Sequence, residues 1–412
     1  MKVHLFATYP MSLVIHGGQR RVKEILRSYT NSRIAASGTS IVFKPFWDQF
    51  LRRQNQSDPN ISLIDISSIA MDQFMKTPLL EDVLIGKIAS KSESTLRMVA
   101  DDVNRHQPDA YQLEHPFLWP VVKVLIEKRM IPNLPVIYSG HNVEYQHKAE
   151  CYHANFKKDD AERHLTAVYE LETELLRESS LTLAVSDEDR SNYEQHAKAE
   201  VVLARNGATV PGVTEKVIKR CVEKYSLSGK PFALAVSSNH PPNIAGMKKI
   251  LSDNCGYVPP GCRILLVGGC GRPIEESLQK PPFIGLNEKK VTALGFLPDH
   301  ELDALRVLAS LQLLMITGGG GTNVKTADAL VSGSPIIATT TAMRGYEQYI
   351  TNHNVTVCDD PKLFRDEIRC KLEEQRLRDR PTYNWKIMED RRSLTWENTL
   401  VPAADAIRRL AA

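Results

Sequence analysis

The sequence predicts an α/β protein built from two Rossmann-like, doubly wound parallel-sheet domains. Short apolar runs bounded by glycine, proline and polar residues alternate with longer helical patterns from one end of the chain to the other, as in successive β–α–β units. The alternation starts afresh near Phe232. Between the halves lies RNGATVPGV, residues 205–213, rich in turn-formers and without a period, and the hinge between domains is expected there.

Strands are expected in the first half at 3–7, 40–43, 61–66, 110–113, 136–138, 181–185 and 201–204, with clear helices at 86–104 and 160–179. The second half repeats the pattern at 232–236, 263–267, 291–294, 311–316, 335–338 and 355–357. Runs such as Leu311, Leu313, Leu314, Met315 and Ile316 suit strands covered on both faces. The segment from Trp385 through Trp396 to Leu410 is helical in pattern and can cross back to the first domain. The expected division is 1–206, 207–384 and a helical crossover at 385–412. In wound sheets ligands bind beyond the carboxyl ends of the strands, and two facing domains make a cleft. Candidate residues therefore follow strands.

Composition narrows the function classes. An apolar share of 42% and a charged share of 25% in 412 residues describe an ordinary soluble chain with material for two to three domains. The 52 basic residues balance 49 acidic ones to a net charge of +3, which argues against a nucleic-acid surface. No apolar run reaches the roughly eighteen residues of a spanning helix, and the polar start MKVHLFATYP is unlike a signal peptide, so a cytoplasmic location is expected. Seven cysteines without a CxxC pair read as reduced and mostly buried. His141, His147, Cys151 and His153 lie close in sequence, but their spacing matches no familiar zinc pattern and no metal is expected.

The most informative stretch is GGGGTNVKTADALVSGSP, residues 318–335. Four glycines between a buried strand and a helix start let backbone N–H groups approach an anion, and the helix aims its positive end at the same place. Lys325, one turn in, adds a charged donor; Asp328, a turn further on the same face, can reach a ribose hydroxyl pair. The plain alternative is a tight turn with a partly solvated Lys and Asp. Near the start, Gly17 and Gly18 precede a helix with Arg20, Arg21 and Lys23, either a second donor loop for an acceptor or phosphate, or a turn with basic surface residues.

Other strand ends carry polar groups. His141 and Asn142 in SGHNVE stand at the mouth of the expected cleft, unless the histidine is structural. Glu114 and His115 in QLEHPFLW can do acid/base work or orient a hydroxyl, with capping of the next helix as the alternative for Glu114. Ser237, Asn239, His240 and Asn243 in SSNHPPN would line the cleft opposite His141. Phe296 and Leu297 in GFLPD, before a helix capped by Asp299, offer an apolar edge to a base. VFKPFWDQFLRR spaces Phe43, Phe46, Trp47, Phe50 and Leu51 helically beside Lys44, Arg52 and Arg53; it either docks on the core or makes peripheral contact with a membrane.

GGQRRV, GHNVE, SDEDR, RNG, SSNHPPN, GFLPD, GGGGTNVKTADAL and TWEN occur in an order and spacing that resemble the GT-B fold glycosyltransferases over nearly the whole chain. The likeness is to the retaining, family-4-like group with a glycine-rich donor loop. It implies a second domain that binds a nucleotide diphosphate sugar, with the diphosphate on the amides of Gly319, Gly320, Gly321 and Thr322, Asn323 in the same turn and Lys325 beside it. Asp328 takes the place of the ribose-holding acid. His141 would face the donor sugar and share the catalytic role with Lys325, while Gly17, Gly18 and Arg20 lie near the diphosphate and acceptor. No metal or other cofactor is implied. The acceptor would be a glycan or a lipid-linked glycan, in polysaccharide or glycoconjugate synthesis, at the inner face of a membrane in the lipid-linked case. Many relatives carry a glutamate eight residues before the ribose-binding acid; Gly320 stands there, so contacts to the donor sugar come from elsewhere. A GT-B epimerase using Glu114, Glu144 and His141, or a non-catalytic nucleotide-sugar-binding domain, are the alternatives.

Overall fold

All the expected strands form, and every pairing is parallel, as buried apolar runs joined by helices require. The computed structural model describes residues 1–52, 58–318, 322–376 and 385–410. It parts into two units, Met1–Arg205 with Thr399–Ala412, and Asn206–Asn398.

The first unit holds β1 (Lys2–Ala7), β2 (Ala35–Val42), β3 (Ile61–Asp65), β4 (Ala110–Leu113), β5 (Val136–Ser139), β6 (Leu181–Ala184) and β7 (Val201–Leu203), in the order β3-β2-β1-β4-β5-β6-β7. Val3 pairs with Ala36 on one side and Ala110 on the other. The second unit holds β8 (Phe232–Val236), β9 (Arg263–Val267), β10 (Val291–Gly295), β11 (Leu311–Leu314), β12 (Ile336–Ala338) and β13 (Val355–Val357), in the order β10-β9-β8-β11-β12-β13. In each sheet the winding reverses once, between β1 and β4 and between β8 and β11. In wound sheets such reversal points, beyond the carboxyl ends of the strands, are where ligands bind.

Several local expectations change. The helix expected at 86–104 is two, Glu81–Ala89 and Glu93–His106, because the Ser92 hydroxyl caps the Thr95 N–H and starts a second one. Asp299 lies inside the first turn of Asp299–Leu308, with Pro298 at the cap position, so it does not cap that helix. The segment 385–412 is broken into Trp385–Asp390, Trp396–Thr399 and Val401–Leu410, and only residues from Thr399 onward join the first unit. The Leu394 carbonyl accepts from the Ala208 N–H at 2.8 Å, which keeps the earlier part in the second. Of the aromatic stripe, Phe43 is fully buried between Phe46 and Phe74, with ring centroids 4.8 and 4.4 Å away, whereas Phe46, Trp47, Phe50 and Leu51 are half-buried. Among the described residues no helix is long and apolar enough to cross a membrane.

Candidate functional site

In the second unit the winding reversal brings the end of β8 beside the strand that leads into the glycine run. Ser237 follows β8, and the turn after β9 lies flush against it: Gly268 has φ +97°, and a Cβ there would sit 2.4 Å from the Ser237 carbonyl oxygen. Lys325 Nζ donates to Ser237 Oγ at 3.2 Å, joining residues far apart in sequence. Burial lowers the Lys325 ammonium to about 8, against the opposing effect of Cys270. A cation kept in so desolvated a place is poised for an anion.

The helix that carries Lys325, Val324–Val331, starts after Asn323, whose side chain does not cap it and whose buried Nδ2 has no hydrogen-bond partner among the described residues. Asn206 of the hinge motif donates to the carbonyl and hydroxyl oxygens of Thr322 at 3.2 and 2.8 Å, and Tyr346 donates to the Asn206 carbonyl at 3.2 Å. The exit of the glycine run is thus tied down. Gly319, Gly320 and Gly321 lie outside the described residues.

Other candidates in this unit disperse. Asp328 is buried and accepts from Arg306 Nη2 at 2.6 Å, so it faces the helix Asp299–Leu308 while Lys325 faces Ser237. Nothing in the local pattern marked Arg306. Asn243 is buried and donates to Ser238 Oγ at 3.1 Å, whereas Asn239 and His240 are exposed. Phe296 and Leu297 separate: Leu297 packs into a core with Leu234 and Leu305, and Phe296 stands 61% exposed.

In the first unit Glu114, His115, Gly18 and His141 do converge, at the ends of β4 and β5. Glu114 is fully buried; it accepts from Gln112 Nε2 at 2.5 Å and shares a hydrogen with His141 Nε2 at 2.8 Å. Burial raises the Glu114 carboxyl and drives the His141 imidazolium well below its ordinary value, with His115 and Arg21 adding to the latter. Both shifts oppose charge, so the pair favours a neutral hydrogen bond. Glu114 caps no helix: His115 holds the cap position of the turn Pro116–Leu118. A Cβ on Gly18 would lie 3.3 Å from the His16 ring and 3.4 Å from His141 Nδ1, so the Gly17–Gly18 turn abuts His141 directly.

His115 Nδ1 lies 2.9 Å from Glu144 Oε1, and its ring centroid is 4.3 Å from that of His141. Burial alone would raise the Glu144 carboxyl, but His115 and Lys148 outweigh it and bring it to about 2. The Glu144 N–H donates to Glu172 at 2.9 Å, and Tyr138 donates to the same carboxyl at 2.6 Å, which anchors the helix Glu144–Asn155. Burial, then Glu144, pushes Glu172 up to about 8. Arg20 is half-buried, whereas Arg21, for which the sequence left a donor loop and a basic surface both open, is buried and donates to the Ala204 carbonyl at 2.7 Å. Among the described residues no three His, Cys, Asp or Glu side chains are grouped to hold a metal ion, and His153 pairs with Glu162 at 3.8 Å.

No protein-family model matches the chain, and none of the curated proteins is a significant match to its sequence. Solved structures align over its whole length. HepE from Anabaena, in complex with UDP and glucose, is 15% identical with a TM-score of 0.66, over 99% of this chain and 100% of that one. Sucrose-phosphate synthase from Thermosynechococcus elongatus is 14% identical with a TM-score of 0.66, over 100% and 99%. WaaG, a glycosyltransferase involved in lipopolysaccharide biosynthesis, is 14% identical with a TM-score of 0.64, over 99% of both. The chain has the GT-B fold.

Proposed function

We propose that the protein is a glycosyltransferase that moves a sugar from a nucleotide diphosphate sugar to a hydroxyl of a glycan or lipid-linked glycan, with retention and without a metal ion. The observation that carries this reading is Lys325: a desolvated ammonium beside Ser237, in the first turn of the helix Val324–Val331, which follows a glycine run in sequence. The complexes of HepE with UDP, UDP-glucose and glucose support the choice of ligand class. In the proposed reaction the bond from the anomeric carbon to the diphosphate breaks with its electron pair on the diphosphate oxygen. The acceptor oxygen bonds to the same face of that carbon, and its proton passes to the departing diphosphate. Lys325 and the helix start offset the charge that develops; His141, held by Glu114, orients the donor sugar. Asp328, set by Arg306, is the proposed ribose contact. A lipid-linked acceptor would place the work at the inner face of a membrane.

A thermal-shift panel of UDP, GDP, ADP and TDP sugars tests this first, since a cognate ligand at a hundred times its Kd stabilises the fold by about 2.7 kcal/mol. Lys325→Ala is expected to lower turnover about a hundredfold, the usual effect of losing one such donor; unchanged turnover refutes its role. Binding an anion raises the Lys325 pKa from its free value of about 8, so affinity for UDP is full below that pH and falls as pH rises through it. Lys325→Met should flatten this profile. Formation of an epimerised donor without acceptor would point to an epimerase.

A further inference from the structure

The Glu114–His141 pair is the outer end of a longer buried chain of side chains. Tyr29, in the helix Gly17–Asn31, is 1% exposed, and its hydroxyl donates to Gln112 Oε1 at 2.5 Å. Gln112, in β4, uses the other end of its amide on the next member: Nε2 donates to Glu114 Oε1, also at 2.5 Å. Glu114 Oε2 then meets His141 Nε2 at 2.8 Å. His141 Nδ1, on the far side of the ring, has no hydrogen-bond partner among the described residues. It lies beside Gly18, where a Cβ would sit 3.4 Å away, so one helix touches both ends of the chain.

The direction of each bond follows from the one before it. Burial, then the Glu114 carboxyl, raises Tyr29 well above its ordinary value, so the phenol keeps its hydrogen. Tyr29 therefore takes the oxygen end of Gln112 and leaves the N–H end to Glu114. With Glu114 Oε1 already receiving a hydrogen, a proton on this carboxyl belongs on Oε2, where His141 Nε2 accepts it. A neutral imidazole carries one hydrogen; with Nε2 accepting, it stands on Nδ1. The three bonds then point the same way and polarise one another. In the opposite arrangement a buried carboxylate accepts from Nε2–H, and Nδ1 is left with a bare lone pair. Gln112, Arg21, His115 and Ser139 act in favour of that carboxylate, but burial outweighs them. A second proton on His141 is opposed by burial, His115, Arg21 and His16, against the pull of Glu144.

We propose that Gln112 and Tyr29 are positioning residues that hold His141 as a neutral Nδ1–H donor, able to bond a ligand oxygen and without a lone pair to take a proton. That the ligand oxygen belongs to a donor sugar rests on the transferase reading; the tautomer does not. An epimerase that used His141 as its base would need the opposite tautomer. Long-range proton–nitrogen correlation NMR on the isotope-labelled full chain at neutral pH reads the tautomer directly, with His141 assigned by its loss in His141→Gln. Wild type should show Nδ1 protonated and Nε2 bare. Tyr29→Phe lets the Gln112 amide turn over, and Gln112→Met removes the donor to Glu114 Oε1, so the carboxyl hydrogen can sit on either oxygen. Both variants should show the two His141 tautomers mixed, a change that loosened packing alone does not produce. With a nucleotide sugar that binds, each should also lose about tenfold in kcat/KM, the effect of one hydrogen bond. A protonated Nε2 in wild type, or the wild-type tautomer unmixed in both variants, overturns the proposal. Failure of every nucleotide sugar to bind would instead sink the transferase reading while leaving the tautomer result intact.

Discussion

His4 shows how one residue sets a pH limit on the first unit. It lies wholly buried in β1, with Nδ1 2.8 Å from Ser37 Oγ and Nε2 2.8 Å from Thr39 Oγ1. Thr39 and Ser62 both donate to Asp102, at 2.6 and 2.7 Å. Burial lowers His4 to about 4, and Asp102 only partly offsets it. The folded state therefore binds this proton less readily than the unfolded chain. The stabilising contribution is full above about pH 6.5 and is lost as pH falls toward 4, by about 3 kcal/mol in all. Chemical denaturation of wild type and His4→Gln at pH 7 and pH 4 checks this: the stability difference should shrink or reverse at the lower pH. Residues differ in how openly sequence declares them. Lys325 and His141 were legible because each follows a strand and a glycine. Arg21 and Arg306 were not, because their roles depend on partners from distant elements that no spacing rule connects.

Among elements, the helix Glu81–Ala89 positions the first-unit site most directly. A Cβ on Gly86 would fall 1.7 Å from the Phe117 carbonyl oxygen, so this helix rests on the backbone of the turn that follows His115. Gly86→Ala has to push that backbone away. The expected loss is about 3 kcal/mol of stability, the upper part of the range for overpacking, with a displaced His115 and weaker acceptor use at temperatures where the variant still folds. Urea unfolding of the variant measures the first effect and acceptor KM the second. Strands were readable as elements because buried parallel strands are apolar almost throughout, as in AYQL, VIYS and LTLA. The break between Ala89 and Glu93 was not: Ser90, Lys91 and Ser92 suit a solvated helix face equally well, and only the Ser92 cap decides against continuation.

At the scale of the whole molecule, the last described helix, Val401–Leu410, belongs to the same unit as β1. Ala403, Ala404, Ala406 and Ile407 are buried there, and Arg409 reaches Glu200 at 2.9 Å on the surface. Ile407→Ala should destabilise the first unit by about 3 kcal/mol through a lost side chain and its cavity, while UDP affinity in the second unit holds. Two-probe unfolding, by the buried Trp119 and by a UDP-dependent shift, separates the units. The sequence alone determined two wound parallel sheets, their strands and the GT-B resemblance, because periodicity, glycine placement and strand-end position are local properties of a chain. Only the tertiary structure decided that Lys325 meets Ser237, that Asp328 turns to Arg306, and that Glu114 holds His141. Each of these joins residues from different crossovers, and which buried polar group finds a partner is set by packing.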